Sequence, residues 1–290
     1  MIQSMTGFGK VVLELPTKKV IIEVKALNSR QLDIFSRIPA IYREKEMDIR
    51  SALSQRLERG KIEIIITIEN IGKDTDAKIN ASLVESYHKQ IEEIAADLAI
   101  SPPVEWFPVL LRLPDVIKTE MAEADEQEWK LVSQAFDEAI HKLCDFRTQE
   151  GQMLSQLFTQ KITTISELLK QIEPFEKERV EKIKSRITDN LQKIPDVQVD
   201  SNRLEQEMIY YLERLDVNEE KTRLSNHLNY FIETLNSGHG QGKKLGFIAQ
   251  EIGREINTLG SKSNHAEMQQ IVVQMKDELE QIKEQVLNVL

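Results

Sequence analysis

The order of apolar and polar positions divides the chain into two styles. Near the start, apolar side chains alternate with polar ones: Val11, Leu13 and Leu15 in one run, Val20, Ile22 and Val24 in the next. Successive side chains of a strand point to opposite sides, so this period of two predicts strands with one buried face. Pro16-Thr17-Lys18-Lys19 supplies the turn between them. A third strand is predicted over Arg30–Arg37, where Leu32 and Ile34 share a face with Ser36. Ile41, Ile49, Ala52, Leu53 and Leu57 fit one side of a helix across Ala40–Leu57, closed by Gly60, and the β-branched run Lys61–Glu69 is a fourth strand. Asn80–Ala99 reads as a helix capped by Asn80 or Ser82 and stopped by Ser101-Pro102-Pro103. A short segment around Trp106–Leu111 ends at Pro114.

From about Glu123 the period changes to that of helices, with only Pro174 and Pro195 to interrupt it. Two long helices are predicted over Glu126–Cys144 and Phe146–Leu169. The charged stretch Glu176–Leu191 follows as a solvated helix laced with i,i+4 pairs, and Pro195-Asp196 as a turn. Four more helices fit residues 201–215, 217–235, 241–260 and 265–289. In the last, Met268, Val272, Met275, Leu279, Ile282, Val286 and Val289 form an unbroken heptad seam, suited to core packing or to pairing across a subunit boundary. The fold class is α+β: an N-terminal mixed βββαβ-type domain over 1–120, a long helical arm over 121–200, and an all-α C-terminal domain over 201–290.

Composition narrows the function classes. The 290 residues include one cysteine, Cys144, which excludes an internal disulfide and thiolate zinc sites. No apolar run is long enough to span a membrane. The start, MIQSMTGFGK, lacks a basic region followed by an apolar stretch, so no signal peptide is expected and the cytoplasm is the default compartment. The net charge of −10 makes a poor generic polyanion binder, because affinity for phosphates comes mainly from Lys and Arg. The charge is uneven, however: residues 1–70 hold 12 basic and 9 acidic side chains, an excess of three cations, and the acidic surplus lies beyond them. A nucleic-acid face must therefore be local, and Arg30, Arg37, Arg43, Arg50, Arg56 and Arg59 are its first candidates.

Walker A, GxSxG, HExxH and CxxC motifs are missing, which leaves carboxylates as the chemistry-bearing groups. On a wheel of the helix from Gly242 to Gly260, Leu245, Ile248, Ile252, Ile256 and Leu259 make the core stripe. Glu251, Glu255, Lys244, Lys262 and Thr258 fall roughly opposite it, with Arg254 beside them. Glu251 and Glu255 are i,i+4, a spacing at which like charges disfavour a helix by about 0.2–0.5 kcal/mol. Either a divalent cation or the neighbouring Lys244, Arg254 and Lys262 offset this. In the preceding helix Asp216, Glu219 or Glu220, Arg223 and His227 share one side, suited to metal ligation, phosphate clamping and proton transfer, or to a capped helix start with surface ion pairs. Arg203 and Arg214 flank Glu207 one helix earlier. The glycine-rich Gly238–Gly242 leads into a helix start bearing Lys243 and Lys244, an anion-binding possibility or a hinge.

MIQSMTGFGK at the N-terminus, NRLEQEM at 202–208, RLDVNEEKTRLSNHL at 214–228 and GKKLGFIAQEIGREINTLGSKSN at 242–264 together closely resemble the bacterial YicC/YloC family. LERGKIE at 57–63 and the terminal MKDELEQIKEQVLNV fit as well, and the match runs in order along the whole length. The resemblance implies an endoribonuclease, helped by a divalent cation, assembled as a ring-like homohexamer, with its active site in the C-terminal helices. The family blocks land on Glu205, Glu207, Asp216, Glu219, Glu220, Arg223, His227, Glu251, Arg254, Glu255 and Lys262; the chain departs from the family pattern at Gly246 and His265. On this reading Glu251 and Glu255, with Glu220 or Asp216, would hold Mg²⁺ or Mn²⁺. His227 would be a ligand or proton donor beside Arg254. Arg30, Arg203, Arg214, Arg223, Lys243, Lys244 and Lys262 would contact RNA, preferentially single-stranded. The alternative is a non-catalytic RNA-binding adaptor oligomer that recruits another ribonuclease.

Overall fold

The architecture follows from a computed structural model that describes residues 2–71, 77–119, 125–193, 201–238 and 240–290. The boundaries expected at 120 and 200, and the turn at Pro195-Asp196, lie outside the described residues.

The N-terminal elements are β1 (Gly7–Glu14), β2 (Lys18–Leu27), β3 (Leu32–Arg37), a 3-10 turn (Ala40–Lys45), α1 (Glu46–Arg56) and β4 (Gly60–Asn70). They build a four-stranded sheet in the order β1-β2-β4-β3, antiparallel except for the parallel pair β3 and β4 that α1 connects. The alternation in the sequence sets its inner face: Val20, Ile22 and Val24 from β2 and Ile62, Ile64 and Ile66 from β4 are all buried. The helix expected across Ala40–Leu57 is split, because Pro39 leads into a 3-10 turn before α1 starts at Glu46. A small hairpin of β5 (Ala77–Ile79) and β6 (Ile117–Thr119) carries α2 (Ala81–Asp97) and α3 (Phe107–Leu110). The Asn80 side chain caps α2 by accepting from the Leu83 N–H, as the sequence anticipated.

The two helices expected over Glu126–Cys144 and Phe146–Leu169 are one, α4 (Glu126–Lys170), 45 residues long and so about 68 Å end to end. Neither a proline nor a cap interrupts it; only the face it buries changes. Its first half packs Val132, Phe136, Ala139 and Leu143 into the sheet core, and its second half packs Phe158, Ile162, Ile165 and Leu169 into a helical core. That second core is completed by α7 (Asn218–Asn236), α8 (Gly242–Lys262) and α9 (Ala266–Val286). The heptad seam of α9 is spent there: Met268, Val272, Met275, Leu279, Ile282, Val286 and Val289 are all buried against the chain's own helices. Between the halves stand α5 (Glu173–Gln192) and α6 (Ser201–Leu215), mostly exposed.

The N-terminal MTGFG block is a clasp. Ile2 is buried in the helical core, Ser4 bridges Val289, the Met5 N–H donates to the Asn288 carbonyl at 2.8 Å, and the Leu290 N–H donates to the Gln3 carbonyl at 2.8 Å. Both ends of the chain are thereby fixed beside the start of α8. Thr6 donates to the Glu150 carboxylate of α4. β1 then crosses α4 so closely that a Cβ on Gly9 would lie 1.9 Å from the Ala139 carbonyl oxygen.

Candidate functional site

Helices α7 and α8 run antiparallel, and two side-chain contacts join them. At one end the Lys262 ammonium lies 2.8 Å from Glu220 Oε1 and also donates to the Asp216 carbonyl at 2.9 Å. Toward the other end Lys244 sits 4.7 Å over the Tyr230 ring, a cation–π contact. His227 falls between Glu220 and Tyr230 along α7, and Glu251 and Glu255 fall between Lys262 and Lys244 along α8. The seam between the helices is thus the stretch bracketed by these two contacts. His227, Glu251 and Glu255 are each half-buried on it.

Glu220 is the most enclosed of these groups, 6% exposed, and its Oε2 has no hydrogen-bond partner. Lys262 is what balances it. Replacing Lys262 by Met strands a buried carboxylate and is expected to cost about 1–3 kcal/mol of stability, measured by denaturant unfolding. Adding Glu220→Gln should recover part of that loss, because the stranded charge is then gone.

The remaining carboxylates have other uses. Arg254 Nη1 lies 2.9 Å from Glu251 Oε1 on the exposed side of α8, Arg223 pairs with Glu219, and Asp216 Oδ1 accepts from Asn218 at the start of α7. The expected metal ligands Asp216, Glu220, Glu251 and Glu255 thus divide between the seam's end and its middle. Among the described residues no three His, Cys, Asp or Glu side chains gather as a metal-ligand group. Among the described residues, Asp216, Glu220, Glu251 and Glu255 do not make one ligand set for a Mg²⁺ or Mn²⁺ ion.

Where α5 and α6 join the body, Arg179 is 4% exposed and donates to two helix ends, the Lys262 carbonyl at 2.9 Å and the Leu215 carbonyl at 2.8 Å. Burial draws its pKa below the usual guanidinium value. Glu176 beside it pairs with Lys221 at 2.9 Å. Neither Arg179 nor Glu176 was picked out from sequence: a buried arginine inside a charge-rich stretch gives no periodic signal. Arg203 and Arg214 stay on α6. Of the six N-terminal arginines, Arg50 pairs with Glu46 and Arg56 with Asp137, whereas Arg30 and Arg59 line a groove with Lys243, away from the seam. The Cys144 thiol is pushed up by burial, which keeps it protonated and unreactive.

Comparison with known proteins places the chain in a family. The N-terminal region of the endoribonuclease YicC-like family matches residues 2–156, and its C-terminal region matches residues 172–290. A probable endoribonuclease YicC from Clostridioides difficile (strain 630) is 29% identical over 290 residues, covering 99% of each chain. A protein of the same description from Haemophilus influenzae (strain ATCC 51907 / DSM 11121 / KW20 / Rd) is 31% identical over 296 residues, again with 99% of each covered.

Proposed function

The chain belongs to the YicC-like endoribonuclease family, and from that membership we propose that it cuts RNA internally at the seam between α7 and α8. The observation that carries this reading is that half-buried His227 on α7 and half-buried Glu251 and Glu255 on α8 lie between the two side-chain contacts that join these helices, with Arg254 and Arg223 beside them in sequence. An imidazole with carboxylates can move the protons that phosphodiester cleavage requires, one from the attacking hydroxyl and one to the leaving oxygen. The guanidinium groups would neutralise the charge that builds on phosphate as the bond breaks. Among the described residues no ligand set for a divalent cation gathers, so no step is assigned to one.

Homohexameric assembly is part of the proposal. Burial against further copies of the chain would cover the exposed apolar side chains of the α2–α3 region, Ile79, Leu98, Ile100, Val104 and Phe107. Light scattering of the purified chain should give six times the mass of one protomer. Among the described residues no helix is long and apolar enough to cross a membrane.

The test is incubation of single-stranded RNA with the purified chain, with and without Mn²⁺ or EDTA, followed by analysis of the product ends. Internal cuts are expected. A 2′,3′-cyclic phosphate identifies attack by the 2′-hydroxyl and a 5′-phosphate attack by water, while the EDTA arm reads the cation requirement. RNA that is bound but never cut would replace this reading with the adaptor one.

A further inference from the structure

Arg30, Arg59 and Lys243 have no ion-pair partner among the described residues, and all three line one groove of about 530 Å³. The groove lies between the turn joining β2 to β3, the start of β4, the first turns of α8 and the end of α9. Among the described residues no Asp or Glu side chain lines it. Its walls are tied together. Asn28 donates to the Leu287 carbonyl at 2.8 Å, and Arg59 to the Val289 carbonyl at 2.8 Å, which uses one of five guanidinium N–H groups. Beneath them Arg147, 2% exposed, donates to the Met5 and Arg59 carbonyls and so pins the backbone from which Arg59 projects. Gly242 opens α8 here with no side chain capping the helix, and a Cβ at that position would lie 2.3 Å from the Val289 carbonyl oxygen. Three unmatched cations around uncapped helix N–H groups make a seat for an anion.

What lies beside that seat says which anion. Phe247, one turn along α8 from Lys243, is 66% exposed and lines the same groove, with the Gln250 amide next to it. An exposed aromatic one helical turn, about 6 Å, from a phosphate seat matches a nucleotide, whose base has a flat face and whose phosphate is charged. The side of α8 opposite its core continues as Arg254 and Asn257, so the polar track from Lys243 to Arg254 runs about 16 Å. That is too long for a mononucleotide, and Arg254 at its far end pairs with Glu251.

We propose that this groove is a nucleotide subsite of a single-stranded RNA track, seating one phosphate on Arg30, Arg59 and Lys243 and stacking the adjoining base on Phe247. It rests on the reading that the chain acts on RNA. A duplex does not satisfy it, because paired bases are already stacked and cannot reach Phe247. Stacking tolerates any base, so the subsite fixes the strand's position without selecting its sequence.

The experiment is an anisotropy titration of a labelled oligouridine by the full chain across a salt series, with the probe's integrity checked on a gel and the fold by thermal unfolding. Arg30→Ala with Lys243→Ala should weaken binding about tenfold and lower the slope of log affinity against log salt by about 0.7, the value for one phosphate contact on a single strand. Phe247→Ala should also weaken binding about tenfold but leave the slope unchanged, and Phe247→Trp should restore it. Against an abasic oligomer of equal length, Phe247→Ala should have no effect. If the wild-type chain binds and cuts RNA while these variants match it in affinity and slope, the subsite is overturned and the endoribonuclease reading stands. If the wild-type chain neither binds nor cuts RNA, both fall.

Discussion

Replacing Glu251 and Glu255 together by Gln is expected to lower RNA cleavage by about 10²–10⁴-fold, and replacing His227 by Ala by a similar factor, since that is the range general acid–base groups contribute. The argument rests on the seam. The Lys262–Glu220 contact and the Lys244–Tyr230 contact bracket the three residues along both helices, and each of the three is half-buried. Gln keeps the shape and one hydrogen-bonding oxygen of Glu but neither carries the charge nor accepts a proton. The loss should therefore fall on kcat, with RNA affinity within a few-fold of the parent and the oligomer unchanged in mass. Removing two like charges at i,i+4 should not harm α8, where their repulsion disfavours the helix by about 0.2–0.5 kcal/mol. Glu280→Gln serves as the control, because Glu280 pairs with Lys283 on the outer side of α9 and touches no part of the seam. Turnover retained by the double variant would remove these carboxylates from the mechanism.

The largest effect on stability is expected at Gly9. Its Cβ position lies 1.9 Å from the carbonyl oxygen of Ala139, a helix backbone atom that cannot rotate aside. Gly9→Ala must lift β1 from α4, and with it the inward-facing Val11 and the clasp that holds Ser4 to Val289. The cost should be about 3 kcal/mol, the upper end for overpacking, and larger for Gly9→Val. For a chain of this size that lowers Tm by roughly 6–12 °C. Gly246→Ala gives the contrast. There a Cβ meets only Val286 Cγ1 at 3.6 Å, ordinary contact, and the residue is inside α8. Alanine in a helix is favoured over glycine by about 0.8–1.0 kcal/mol, so the same substitution should raise Tm. Calorimetry on the two variants checks both signs, and an unchanged Tm for Gly9→Ala would refute the close crossing of β1 over α4.

The candidate site was partly legible before the structure. The helical wheel separated Leu245, Ile248, Ile252, Ile256 and Leu259 from Glu251 and Glu255, and the structure buries the former and leaves the latter half-exposed. The join of α4 across Cys144-Asp145 was not legible, because the helix exchanges one core for another there and its apolar stripe lapses while its backbone continues. Phe247 was passed over since a single aromatic outside the core stripe adds nothing to a periodic pattern. Arg147 and Arg179 were invisible for a related reason: each is buried to satisfy carbonyls of segments distant in sequence.

Residue order alone therefore determined the α+β class, the inward face of nearly every element, and the pair of polar stripes on α7 and α8. Those are local properties, set by the direction in which each side chain leaves its own strand or helix. The tertiary structure decided which stripe faces which, that Lys262 answers Glu220 while Arg254 answers Glu251, and that Arg30, Arg59 and Lys243 converge from three separate segments. Periodicity specifies orientation about an element's own axis; the partner across the gap is chosen by how the two cores close around α4, and no single stretch of chain contains that information.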